Sequence, residues 1–338
     1  MSVRLKDLAK QTGYSISTIS RALLGYSDVN PATRKKILEA AKRLDYYPSQ
    51  IAKQLRSGRT RTIGFLIPTY GERFSDPFFI ELLTGIGDMA SLMDYDILVG
   101  TSGDGEKELE EYRRVVGGGR VEGLIITRTR IRDQRVSYLL KTHTPFILLG
   151  RVLDHKNVPY IDIDSRSGIK ILTRHLIESG HRRIGFITTP DDLVFTKFRN
   201  QGYREALKEA GIPYDPDIVE IGNLTLESGK SLGLKLLSRK DRPTAIVAVN
   251  DLMALGTYGA AQQLGLTIGR DVSITGYDGI SLSKNAHPPL TTIEVPIYEI
   301  GKQLFEMLYK LINHENLGES QILLPPKAVF RESVGSPA

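Results

Sequence analysis

The sequence predicts an α/β protein: a small N-terminal helix-turn-helix head followed by two doubly wound parallel-sheet lobes. Three observations carry this. First, positive charge is confined to one end. Residues 1–61 hold thirteen Lys and Arg against four acids, a net charge of +9, and the remainder is at −3 within a whole-chain +6. Second, the hydrophobic periodicity changes at Thr62, from short helical stripes to apolar runs of strand length. Third, nine such runs alternate with amphipathic stretches, the pattern of parallel sheets flanked by helices.

With 338 residues the chain has room for two or three domains, at roughly 100–200 residues each. Hydrophobic residues make up 41% and charged residues 25%, enough for a sizeable core. No run approaches the ~18 apolar residues of a membrane helix. Arg4, Lys6, Asp7 and Lys10 interrupt any signal-peptide core. The chain has no cysteine, which excludes disulfides, thiolate metal sites and cysteine nucleophiles and fits a cytoplasmic, nucleoid-associated location. A basic head on a near-neutral body points to a nucleic-acid partner.

In the head, Leu5, Leu8 and Ala9 share one face of a short helix, and Gly13 breaks it as a tight turn requires. Ser15 caps a second helix over 16–24, whose Ile19, Ala22 and Leu23 face inward. Ser17, Ser20 and Arg21 point outward, with Ile16 and Thr18 at the helix start. Asn30-Pro31 reads as a cap followed by proline at the first helical position. A third helix follows, with Ile37, Leu38, Ala41 and Leu44 as its stripe. Residues 49–56 read as one or two further turns, well short of the ~12–15 residues that hold a free helix in water. Gly58 and the basic run through Arg61 follow as a linker.

In the body, strands are expected at 63–67, 96–99, 123–127 and 146–149, then at 160–164, 183–188, 218–221, 245–248 and 272–276. Helices are expected at 78–93, 106–116, 167–179, 198–210, 226–237 and 252–264. The nine strands divide as four and five between two lobes. Ligands of such sheets sit beyond the carboxyl ends of the strands, so two lobes can enclose a ligand in a cleft.

An enzyme is not expected. Ser228-Gly229-Lys230-Ser231 lacks the earlier glycine of a phosphate loop, since Leu224 stands there. The six histidines are scattered without metal spacing, and no nucleophile, base and orienter occur in motif order. No cofactor or metal is expected.

The runs Leu5-Lys6-Asp7-Leu8-Ala9, Gly13 to Leu23, Val29-Asn30-Pro31-Ala32-Thr33-Arg34 and Leu44-Asp45-Tyr46-Tyr47-Pro48-Ser49 resemble the headpiece of the lactose-repressor/galactose-repressor family. The resemblance is nearly continuous over 3–57 and extends through the body to about Val334. It implies a second helix in the major groove with Ile16, Ser17 and Arg21 reading bases, and Ser15, Ser20, Asn30 and Thr33 on phosphates. It makes 49–56 a hinge helix over the operator's minor groove. Leu55 is then the apolar wedge, and Ile51 and Ala52 make the hinge–hinge contact. The implied body is of periplasmic-binding-protein type with three crossings between lobes. The implied divisions are 1–48, 49–61, 62–160 plus 292–320, and 161–291 plus 321–333.

The family's ligand positions map to Arg199, Asn250 and Asp278, with Asp76 on the first lobe. In the absence of Trp, Phe74, Phe78, Phe195 or Tyr277 must supply any face for a sugar ring. Two departures stand out: Gly279 replaces a second acid, and Arg151 follows Gly150 where the lactose repressor has an acid. Arg151 with Arg128 or Arg130 adds positive charge, which suits a carboxylate or phosphate as well as a sugar. The segments 75–78, 127–130 and 150–151 loosely resemble regulators of α-glucoside use. The implied function is a homodimeric repressor of palindromic operator DNA controlled by a small effector, a mono- or disaccharide. A purine or phosphorylated-metabolite co-repressor and a solute-binding transport protein are the alternatives.

Overall fold

The computed structural model describes residues 3–23, 25–46, 58–68, 76–103 and 105–337. It divides into two compact units, Met1–Arg61 and Thr62–Ala338. The hinge residues Ile51, Ala52 and Leu55, together with Phe74, lie outside the described residues.

The first unit holds α1 (Leu5–Thr12), α2 (Ile16–Leu23) and α3 (Pro31–Arg43). Gly13 ends α1 at φ 74°, the left-handed conformation that only glycine adopts without strain. Leu8, Ile19, Ala22, Val29, Ile37, Ala40 and Ala41 form the shared core. The third stripe therefore runs 37, 40, 41, 44. Leu38, expected in it, is exposed, because one residue after Ile37 turns about 100° away from the buried face.

The second unit opens with β1 (Thr62–Pro68), α4 (Pro77–Leu92), β2 (Asp96–Ser102), α5 (Glu106–Gly117), β3 (Gly123–Ile126), α6 (Gln134–Lys141), β4 (Phe146–Leu149) and β5 (Tyr160–Ile163). It continues through α7 (Ser165–Glu178), β6 (Ile184–Thr188), α8 (Val194–Glu209), β7 (Val219–Ile221), α9 (Leu226–Leu237), β8 (Ala245–Ala248), α10 (Asp251–Gln263), β9 (Ser273–Thr275) and the short α11 (Ser281–Lys284). It closes with β10 (Thr292–Glu294), α12 (Ile297–Ile312), β11 (Gln321–Leu324) and β12 (Lys327–Val329).

Two parallel sheets result. The first has strand order β11-β5-β4-β3-β1-β2 and the second β7-β6-β8-β9. The antiparallel pair β10-β12 extends the second through bridges at Thr275–Thr291 and Asp278–Glu294. The expected division of nine strands into four and five is corrected here. β5 belongs to the first sheet, in register with β4 and with β11. The sheet boundary thus falls after Ile163, and the returning segment stays in the first lobe through Leu324, beyond the expected 160 and 320. Neighbours in sequence do not reveal this, because β11 finds β5 across some 160 residues. The chain crosses between the lobes after β5, after β10 and after β11.

α12 packs on α4 in the first lobe. Gly85 and Gly301 make the contact possible: a Cβ on Gly85 would lie 2.1 Å from the Tyr298 carbonyl oxygen, and one on Gly301 2.4 Å from that of Leu82. Replacing Gly85 with Ala is therefore expected to destabilise the second unit by about 1–3 kcal/mol, the usual effect of overpacking. Denaturant unfolding checks this; an unchanged midpoint would mean the helices can separate freely.

Candidate functional site

In the first unit, the outward face of α2 carries the residues singled out in the sequence. Ile16 and Ser17 are exposed, and Ser20, Arg21 and Thr33 are half-buried. At 44% exposure, Ile16 is a large apolar side chain left outside the core. Two expected phosphate contacts also hold the helices. The Ser15 hydroxyl accepts from the Thr18 amide at 3.1 Å, and Asn30 Oδ1 accepts from the Ala32 amide at 2.9 Å. Arg21 is held by Asp28 and stacks over Tyr26, its guanidinium 4.9 Å from the ring centre. Both partners of the ion pair are open to solvent, so the pair is weak and yields to a better acceptor.

In the second unit, the carboxyl ends of the strands face a cleft with a cavity of about 110 Å³. Asp76, Phe78, Arg128, Arg151, Phe195, Arg199, Asn250, Tyr277 and Asp278 all line it, as does Asp162, which the sequence did not single out. Asp76 caps α4, one oxygen accepting from the Phe78 amide at 3.1 Å, and Pro77 occupies the first helical position. Arg128 and Arg151 follow β3 and β4, while Asp278 follows β9. Arg128 (φ 49°) and Asp278 (φ 114°) are held in the left-handed region, and strain of this kind gathers at functional sites. Gly279 also lies there at φ 71°, and a Cβ on it would meet Glu294 Cα at 2.8 Å.

The charges are paired. Arg128 Nη2 lies 3.4 Å from Asp76, Arg151 Nε 2.9 Å from Asp162, and Arg199 Nη2 3.9 Å from Asp278. Three arginines thus face three aspartates, each guanidinium having a carboxyl group beside it. Burial still raises the carboxyl pKa values against the pull of the arginines. Asp278 is pushed well above the ordinary range with Arg199 opposing, and Asp162 is pushed up to about 6 with Arg151 opposing. Asp76 is raised more mildly, with Arg128 and the Phe78 amide opposing.

Aromatic rings support the arginines. The Arg199 guanidinium lies 3.8 Å from the centre of Tyr277 and 4.7 Å from that of Phe195. Arg151 lies 4.1 Å from Phe198, and Arg128 4.9 Å from Phe79. Tyr277 and Phe195 were expected to offer a face to a ligand, but here they meet Arg199. The Asn250 amide is also engaged, accepting from the Met253 amide and donating to the Leu224 carbonyl, both at 3.1 Å. Thr127 Oγ1 and Arg199 Nε are buried without a hydrogen-bond partner among the described residues.

Among the described residues no group of His, Asp and Glu could hold a metal ion, and no helix is long and apolar enough to cross a membrane. Six groups with planar donors and acceptors converge on one small space, and this arrangement can bind vicinal hydroxyls. Asp162 is expected to titrate near 6, seen by carbon NMR of its carboxyl. Its ionisation opposes folding, so its contribution to stability declines as pH rises from the ordinary 3.8 through about 6. A midpoint at or below 3.8 would contradict the burial described.

Residues 4–49 match the model of bacterial regulatory proteins of the lacI family, and residues 173–334 that of the periplasmic binding protein-like domain. Catabolite control protein A of Priestia megaterium is 34% identical over 335 residues, covering 98% of this chain and 99% of that protein. The HTH-type transcriptional repressor CytR of Escherichia coli (strain K12) is 30% identical over 97% of this chain and 95% of its own length. A transcriptional regulator CelR–cellobiose complex is 31% identical, with a TM-score of 0.75 over 98% of this chain and 99% of that one. The lac repressor dimer bound to operator and the anti-inducer ONPF is 27% identical, with a TM-score of 0.85 over 99% of this chain and 100% of that one.

Proposed function

The chain belongs to the lacI family of bacterial regulatory proteins, DNA-binding transcription regulators with an effector-binding domain and not enzymes, and from that premise we propose that it is a homodimeric repressor released or engaged by a neutral sugar held between the two lobes. The observation that carries the sugar is the pairing of the cleft's arginines with carboxyl groups. Each of the three guanidiniums has a carboxylate beside it. A phosphate would have to displace an aspartate carboxyl to reach any one of these guanidiniums. A polyol can instead donate to carboxylates and accept from guanidiniums without breaking any pair. Relatives bound to cellobiose and to ribose support the same class. The purine and phosphorylated-metabolite readings, and that of a transport protein, fit this pairing and the basic head less well.

On the DNA side, a two-fold dimer reads a palindromic operator, with Ile16, Ser17 and Arg21 of α2 at base edges. Ser15, Ser20, Asn30 and Thr33 lie against phosphates, and the hinge with Ile51, Ala52 and Leu55 sits over the minor groove. Arg21 must leave Asp28 to reach guanine. The sugar acts by binding the two lobe arrangements unequally, which is what shifts operator affinity.

Two experiments test this, using the tightest duplex recovered from a pool of random palindromes. Arg21→Ala should relax base choice, and Lys53→Ala, which removes one charge of the basic segment 49–61, should weaken all duplexes alike and lower the salt slope. Asp28→Asn should strengthen binding by up to about fivefold, the range of an exposed ion pair. Equal relative losses across sequences for Arg21→Ala would remove it from base reading. In the second, Asp278→Ala should abolish the sugar response of operator binding and leave ligand-free affinity intact. A full retained response would exclude Asp278 from the site.

A further inference from the structure

An antiparallel rung joins the two lobes beside the cleft. The Ile131 amide, after β3, donates to the Asp192 carbonyl at 2.8 Å, and the Val194 amide, at the start of α8, donates to the Thr129 carbonyl at 3.0 Å. Arg130 and Leu193 face each other between these bonds. The rung is anchored on both sides. In the first lobe, Arg130 Nη1 lies 2.5 Å from Glu108, whose other oxygen accepts from the buried Arg135 at 2.8 Å. Arg135 in turn donates to Asp133 at 2.7 Å and to the Arg128 carbonyl at 3.0 Å. Towards the second lobe, Arg130 Nε lies 3.6 Å from Asp192. The N-cap of α8 is Leu193, which offers no capping side chain, so the first amide of that helix is satisfied by a carbonyl of the opposite lobe.

The rung borders two cavities: Thr129 lines the 110 Å³ cavity of the paired charges, and Arg130 and Leu193 line a second chamber of about 720 Å³, bounded also by Glu108, Asp192 and Asn223. Leu224 borders both. Resting on the reading of the cleft as a sugar site, we propose that the Arg130–Leu193 rung is its specificity-determining partition. It seals over a ligand confined to the inner cavity, and a ligand that continues past Leu224 into the outer chamber holds it open. A single sugar ring and a disaccharide therefore stabilise different lobe arrangements.

The geometry offers two clean tests. The facing pair is of the non-hydrogen-bonded kind, with Cα atoms about 4.5 Å apart, within the range a disulfide spans. The chain has no other cysteine. In full-length protein carrying Arg130→Cys with Leu193→Cys, preloaded with D-glucose and then oxidised, glucose dissociation should slow by about tenfold or more. Cellobiose should no longer bind the oxidised protein. Dithiothreitol should restore both. Separately, Val194→Pro deletes one rung bond at a helix position that tolerates proline, after a residue already extended at ψ 130°. It should speed glucose dissociation by about fivefold, the worth of one hydrogen bond, and leave the rate of cellobiose dissociation unchanged. Equal effects on both sugars in either variant would overturn the partition. If neither sugar binds the unaltered chain, the sugar reading fails, and the rung is judged by hydrogen exchange alone. The Ile131 amide should be protected in the unaltered protein and exposed in Val194→Pro, and an Ile131 amide that exchanges freely in both would overturn it.

Discussion

Three guanidinium groups stand in the space between two lobes, and each requires a carboxylate to be there. An unpaired charge in so dry a place costs far more than the marginal stability of a domain allows. The pairs Arg128–Asp76, Arg151–Asp162 and Arg199–Asp278 meet that requirement. The aromatic residues around them follow from it: Phe79, Phe198, Phe195 and Tyr277 are the surfaces on which weakly hydrated guanidiniums lie. The strand ends then place these groups in register, since parallel strands of both sheets deliver their carboxyl ends to one cleft. The chemistry a ligand meets is a set of fixed donors and acceptors.

The same logic extends outward. Arg130 is a fourth guanidinium near the cleft, and its partner Glu108 is itself held by Arg135. That buried cluster stiffens the segment after β3, which is the segment that reaches across to α8. A ligand acting on the inner charges therefore acts on elements the rung joins. Arg199 lies on α8, whose first amide the rung satisfies. A shift of the lobes is felt at both places together, and a two-state element biased by a ligand is the physical content of allosteric control.

Much of this was legible in the sequence, and the failures have physical causes. The head was readable because its three helices bury faces set by local spacing, and because Gly13, Ser15 and Asn30-Pro31 act on their own neighbours. The alternation of strands and helices in the body was readable for the same reason. Strand order was not, because β5 meets β11 through pairing that periodicity does not encode. Asp162 was missed because it sits inside an apolar strand and its meaning lies in Arg151, just after the neighbouring strand. Arg128, Arg151 and Arg199 were found, but their pairing with carboxyl groups was not, since Asp76 and Asp278 come from distant segments. Asn250 carries a ligand role by resemblance, yet its amide is already engaged in capping α10, and only the structure shows that division of its hydrogen bonds.

The central claim is that the cleft accepts a neutral polyol because each of its guanidiniums already has a carboxyl partner. Calorimetric titration of the full-length protein with D-glucose and with D-glucose 6-phosphate tests it most directly. Paired guanidiniums predict that the neutral sugar binds and that the phosphate ester binds at least about tenfold more weakly, since it must break a buried pair. Tighter binding of the phosphate ester would contradict the account.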